Sequence, residues 1–175
     1  MKSDEELMQE ASQGDMDSFE ELICRYQNSA WNVAYSMLSD RHLAADAAQE
    51  AFLRVLEQAK TYRPAAKFST YFFSILRRIC IDHYRRKKAS PRPDFARDEA
   101  ATPPPEEILI KNETSLRIHE AIASLPPRQR MALTLQHFGQ MSYKEIARAM
   151  NCSAGAVDSL LIRARGALSK SLKDL

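Results

Sequence analysis

Apolar side chains recur every three or four residues over most of the chain, and the breaks between these runs mark out the elements. Phe19, Leu22, Ile23, Tyr26, Ala30, Val33, Ala34 and Met37 form the longest stripe and predict a long amphipathic helix. Ahead of it, Ser3 with Glu6 makes a capping box, and Gly14 ends a short first helix. Asp40 can cap a third helix with the stripe Leu43, Ala47, Ala51, Phe52, Val55 and Leu56; Asp46, Gln49, Glu50 and Glu57 lie on its opposite face. After the loop YRPAAKF, Thr70 can cap a fourth helix that runs to about Lys88. Phe72, Ile75, Leu76, Ile79 and Cys80 would face the core, and Arg77, Arg78, Arg85 and Arg86 the outside. His83, near that stripe, has no partner at metal-ligand spacing and reads as a packed or capping imidazole.

The second half repeats the helical pattern on a smaller scale. A helix over about 106–124 ends before Leu125-Pro126-Pro127, and proline at a first helical position suits a new helix reaching about His137. Gly139 breaks that helix. Ser142 and Glu145 then form a capping box for SYKEIARAM, Asn151-Cys152-Ser153 makes a tight turn, and Ser153 caps a last helix from about 154 to 172. Two helices joined by a three-residue turn describe a helix-turn-helix, with Ile146, Ala147, Met150, Val157 and Leu161 closing its corner. The fold expected is all-α: two small helical domains at 1–90 and 108–175, the second a helix-turn-helix. They are joined by a proline-rich linker at 91–107, which holds five of the eight prolines.

Composition narrows the function more by exclusion than by assertion. Four glycines are too few for a phosphate-cradling glycine loop or a turn-rich all-β fold. No apolar run is long enough to cross a bilayer, and the acidic start MKSDEELMQE does not resemble a signal peptide, so a cytoplasmic protein without membrane insertion is expected. Cys24, Cys80 and Cys152 match no metal motif or disulfide framework and read as small buried thiols. Neither a metal nor another cofactor is implied, and Asp46, Glu50 and Asp82 form no evident catalytic or metal cluster.

The net charge of +2 conceals a strong segregation. Residues 60–88 hold nine basic side chains against Asp82 alone, whereas residues 1–59 hold four against twelve acids. Basic side chains interleaved with aromatics are the footprint of a polyanion site, although a solvated basic face is the simpler reading of such a run by itself.

The segments DSFEELICRYQ, AADAAQEAFLRVLEQ and KFSTYFFSILRRICIDHYRRKK together resemble region 2 of the extracytoplasmic-function sigma factors. LPPRQRMALTLQHFGQMSYKEIARAMNCSAGAVDSLLIRARGAL resembles their region 4, in the same order and with the linker between. The resemblance implies an alternative sigma factor without catalysis of its own. Its expected partners are core RNA polymerase (the β′ clamp helices and the β subunit), promoter DNA and an anti-sigma factor.

By the same resemblance, Asp46, Gln49 and Glu50 match the patch that docks on the β′ clamp helices, with Leu53 as an apolar contact. The −10 element is read as an opened strand, which requires phosphate-binding cations and aromatics that replace lost stacking. Tyr62, Lys67 and Phe68 are implied to line a flipped-base pocket, Tyr71 to wedge against the last paired step, and Ser69, Thr70, Arg77, Arg78, Arg85 and Arg86 to complete the surface. At least one of Phe68, Tyr71 and Phe73 is expected to be plain core. For the duplex −35 element, Ala156, Asp158, Ser159, Ile162 and Arg163 are the implied reading positions, and Gln136, Tyr143 and Lys144 the phosphate contacts.

The chain departs from the commonest family pattern at four places. Tyr71 stands for a frequent tryptophan, Arg78 for a frequent asparagine, and Asp158 and Leu160 for frequent basic residues. Asp158 either accepts from a cytosine amino group or serves only as a cap that repels phosphate. Two other classes fit parts of the sequence. A stand-alone helix-turn-helix regulator would bind duplex DNA unaided but has no need of exposed aromatics at 62–88; an enzyme such as a nuclease would need a catalytic constellation that is not recognisable.

Overall fold

The computed structural model of the chain describes residues 1–89 and 113–173. Helices α1 (Asp4–Ser12), α2 (Met16–Leu38), α3 (Arg41–Glu57) and α4 (Phe68–Ala89) build a first lobe, with a single 3-10 turn at Ala59–Thr61. Helices α5 (Glu113–Ser124), α6 (Pro127–His137), α7 (Tyr143–Met150) and α8 (Ala154–Ser171) build a second. No strand occurs among the described residues, as an all-α fold requires. The linker expected at 91–107, and the start of the helix expected at 106, lie outside the described residues.

Local sequence explains most helix ends. Both arms of the Ser3/Glu6 box are made: the Glu6 N–H donates to Ser3 Oγ at 3.2 Å and the Ser3 N–H to Glu6 Oε2 at 2.7 Å. Asp15 and Asp40 cap α2 and α3 by accepting backbone N–H groups of the first turn. Helix α4 departs from expectation. It starts at Phe68 rather than after Thr70, and its first N–H finds an acceptor across the lobe, Glu5 Oε1 on α1, at 2.8 Å. Thr70 therefore caps nothing; its hydroxyl is buried without a hydrogen-bond partner among the described residues.

An aromatic cluster holds the first lobe together. Tyr26 of α2 lies against Phe68, Phe72 and Phe73 of α4 with ring centroids 5.3, 5.4 and 6.1 Å apart, and Phe52 of α3 closes on Phe72 at 4.8 Å. Such pairs add about 0.5–1.5 kcal/mol each beyond the area they bury. Phe68 and Phe73 are thus both core, one more than the minimum expected. The thiols divide differently from expectation: Cys80 is buried, Cys152 half-buried, and Cys24 exposed on the outer side of α2.

The two lobes are packed on each other, so a single hydrophobic core runs through both. Helix α4 lies along α7, and α2 along α6. Arg130 of α6, buried, donates to the Met37 carbonyl of the first lobe at 3.1 Å and to the Ala123 and Leu125 carbonyls of its own. Tyr35 stacks on His119 of α5 with centroids 4.6 Å apart. At Gly139 a Cβ would stand 2.6 Å from the Leu135 carbonyl oxygen and 3.3 Å from the Phe73 ring, so this turn admits only glycine next to the first lobe. No described helix is long and apolar enough to cross a membrane.

Candidate nucleic-acid and partner interfaces

Helix α3 presents a mixed acidic and apolar patch. Asp46 and Gln49 are exposed, and Glu50 is half-buried, tied to Arg54 one turn on and to His83 Nε2 of α4 at 3.5 Å. His83 of α4 thus lies against α3. Leu53 is 55% exposed, whereas Ala47, Ala51, Phe52 and Val55 on the opposite face of the helix are buried. Leu53 and Gln49 edge an open groove of about 490 Å3 between α2 and α3, floored by Phe19, Phe52 and Trp31. Sequence reasoning missed Trp31. It stands off the register of the long α2 stripe, which is the signal that could have found it.

The expected −10 residues separate into three groups. Tyr62 and Tyr71 come together at 5.2 Å, half-buried, with the Tyr71 hydroxyl donating to Gln58 Oε1 at 3.2 Å. Burial raises the pKa of both phenols, and the Tyr62 hydroxyl is buried without a hydrogen-bond partner among the described residues. Lys67 is exposed but already partnered, its Nζ 2.8 Å from Glu145 Oε1 of α7. Phe68 and Thr70 are buried and, in this arrangement, present no surface to a base; they form the wall behind the tyrosines, and the structure corrects their expected role as contacts. Ser69 is half-buried beside them. Arg77 and Arg78 point to the junction of the lobes, while Arg85 and Arg86 are exposed at the far end of α4.

The helix-turn-helix has the expected geometry. Ser142 and Glu145 make both arms of their box, Asn151 ends α7 in the left-handed region at φ 51°, and Ser153 Oγ accepts the Ala156 N–H at 3.1 Å to start α8. Since Ser153 supplies the cap, Asp158 is not needed as one; it stands exposed one turn further on. Ser159, Ile162 and Arg163 are exposed too, Ile162 at 60%, whereas Ala156 is half-buried. Lys144 is exposed and Tyr143 half-buried at the start of α7. Gln136 accepts from Arg165 Nη2 at 2.8 Å. Arg165 was missed in the sequence, though its spacing from Asp158 and Ile162 places it on the same side of α8.

Comparison with known proteins decides the family. The model of sigma-70 region 2 matches residues 22–90, and that of sigma-70, region 4 matches residues 115–168. The chain belongs to the sigma-70 family. Its relatives include extracytoplasmic-function members. The sigma factor SigW of Bacillus subtilis is 30% identical over 183 residues, which are 96% of this chain and 96% of SigW. The sigma-H factor of Pseudomonas aeruginosa is 29% identical over 185 residues, 99% of this chain and 96% of that protein. Among solved structures, CnrH in complex with the cytosolic domain of CnrY aligns with a TM-score of 0.78 at 21% identity over 99% of both chains. RpoE of Bartonella quintana, bound to the anti-sigma factor NepR, aligns with a TM-score of 0.70 at 23% identity over 89% of this chain and 96% of its own.

The protein is thus an alternative sigma factor of the extracytoplasmic-function group, built from regions 2 and 4. Members of the sigma-70 family are initiation factors rather than enzymes. All residues expected at the three interfaces fall inside the two matched segments.

Proposed function

We propose that this sigma factor binds core RNA polymerase through α3, holds the opened −10 strand on the Tyr62, Tyr71 and α4 surface, and reads the −35 duplex with α8. The observation that carries this reading is the contrast between the lobes. One offers half-buried aromatics beside exposed cations, which suits an unstacked strand; the other offers a capped recognition helix with an exposed polar face, which suits a major groove. Leu53 and the neighbouring groove give α3 an apolar anchor within a polar rim, as a helical partner surface needs. Within this reading, residues 1–90 and 108–175 act as two domains that share one core while closed, and the chain works in the cytoplasm.

The closed arrangement bears on the mechanism. The −10 and −35 elements lie roughly 25 base pairs apart, about 85 Å at about 3.4 Å per base pair. Helices α4 and α7 touch, so the two reading surfaces cannot serve both elements until the lobes part. Parting breaks the Lys67–Glu145 pair and frees Lys67 for a phosphate. An anti-sigma partner, such as the one bound to RpoE of Bartonella quintana, would act by holding this closed state.

Run-off transcription with purified core polymerase over a promoter library tests the proposal. Initiation from a defined set of two-element promoters is the expected result. Tight binding to closed duplex in the absence of polymerase, with no initiation in its presence, would favour a stand-alone regulator instead.

A further inference from the structure

The cleft between the lobes brings together four guanidinium groups and, among the described residues, no carboxylate. Arg77 and Arg78 reach it from α4, Arg128 from the first turn of α6 and Arg148 from the last turn of α7; with Ser74 and Asn151 they line one open cavity of about 620 Å3. None of the four forms an ion pair among the described residues, and Arg77 Nε is buried without a hydrogen-bond partner. Arg77 sits in a doubly unfavourable place: burial and the neighbouring Arg78, Arg128 and Arg85 all disfavour its charged form.

Bringing like charges of opposite lobes together is a cost that no carboxylate of this cleft offsets among the described residues. The Lys67–Glu145 pair, by contrast, shows opposite charges where the loop before α4 meets α7. Guanidinium is a planar fork that pairs two phosphate oxygens at once and remains charged throughout the physiological range. Four such forks exceed what a monovalent anion can satisfy, and the cavity has room for several phosphate groups. Ser74 and Asn151 add neutral polar groups at its wall.

We infer that this cleft binds a short, multiply charged phosphate chain, such as tripolyphosphate or the phosphates of a nucleotide, which bridges α4 to α6 and α7. The ligand neutralises the facing arginines and favours the closed arrangement. A nucleic-acid strand shares the backbone chemistry, but it would meet Arg77 and Arg78 in the parted state, away from Arg128 and Arg148. The bridging anion and the −10 strand therefore exclude each other.

The test is calorimetric titration of the full chain with sodium tripolyphosphate at near-physiological salt, with sodium sulfate in parallel. Saturable one-to-one binding is expected, at least tenfold tighter than for sulfate and weakened at least tenfold in Arg128→Ala/Arg148→Ala, since each lost charge-assisted contact is worth a sizeable share of such an affinity. Both positions are exposed and lie outside the proposed promoter and polymerase surfaces. Small-angle scattering of the wild-type chain should show a smaller radius of gyration with the ligand than without. Arg148→Glu, as a second variant, should abolish binding through repulsion of the phosphates. Equal affinity of the double variant, indifference to the choice of tripolyphosphate or sulfate, or no binding at all would overturn the inference. So would the converse pattern, in which a single-stranded 12-mer loses tenfold in the double variant while tripolyphosphate does not bind, because the cleft would then be a strand site. The titration needs neither polymerase nor promoter, so its failure is separate from any failure of the transcription assay.

Discussion

Lys67, on the loop before α4, and Glu145, at the third position of α7, join the lobes through an Nζ to Oε1 contact of 2.8 Å. Seventy-eight residues of sequence separate a cation expected to meet an opened strand from the carboxylate that now neutralises it. The contact lowers the pKa of the Glu145 carboxyl to about 2, first through Lys67 and then through Ser142.

That shift gives a sign for pH. A carboxylate held below its ordinary value of 4.5 stabilises the folded, closed form above that value, and its contribution disappears as pH falls towards 2. Fluorescence transfer between dyes on the two lobes should therefore report opening over this interval. In Glu145→Gln the pH-dependent component should shrink, and a profile identical to wild type would remove Glu145 from the cause.

Glu145→Gln should also make Lys67 available. Exposed pairs are weak, so the gain in affinity of the free chain for a single-stranded −10 oligonucleotide should be modest, between about two- and fivefold. Fluorescence anisotropy measures it, and a loss of affinity would show that Glu145 supports the strand site rather than blocking it.

The two DNA-facing roles in the second lobe are separable. Arg163→Ala should flatten discrimination among −35 sequences, whereas Lys144→Ala should weaken all of them alike and lower the salt slope by about one. A set of promoter variants titrated at three salt concentrations distinguishes the two, and undiminished discrimination in Arg163→Ala would remove that residue from base reading.

Leu53→Asp should leave the fold intact, within about 0.5 kcal/mol, because the side chain is mostly in water. Its association with core polymerase should fall by about tenfold or more if it anchors the interface. Co-elution with core enzyme reads the second effect, and urea unfolding the first.

Arg130 makes the opposite prediction. Three carbonyls from both lobes accept from its guanidinium, and burial disfavours its charge, so Arg130→Ala leaves buried acceptors unpaired. A loss of about 2–4 kcal/mol in urea unfolding is expected, and Arg130→Lys should not restore it because a single ammonium cannot span the three acceptors.

Most of the helical scaffold was legible because its signals are local. Ser3 with Glu6, Ser142 with Glu145, Asp40 and Ser153 each sit within three residues of the groups they cap, so their chemistry can be read along the chain. The boundaries that failed depend on distant partners. Helix α4 starts at Phe68 because Glu5, 63 residues earlier, accepts its N–H, and no neighbour in sequence announces this. Phe68 illustrates the limit for the site. A phenylalanine beside Lys67 and Tyr71 has the same composition whether it meets a base or the core, and only the arrival of Tyr26 and Phe72 decides for the core. The exposure of Cys24 and the arginine cleft follow from packing in the same way.

Glu145 divides its work between two oxygens: Oε2 accepts the Ser142 N–H at 2.7 Å while Oε1 faces Lys67. Letting go of the lysine thus leaves the start of α7 as well tied as before. If the lobes part as proposed, the helix-turn-helix keeps this N-terminal tie for the moment it reaches DNA.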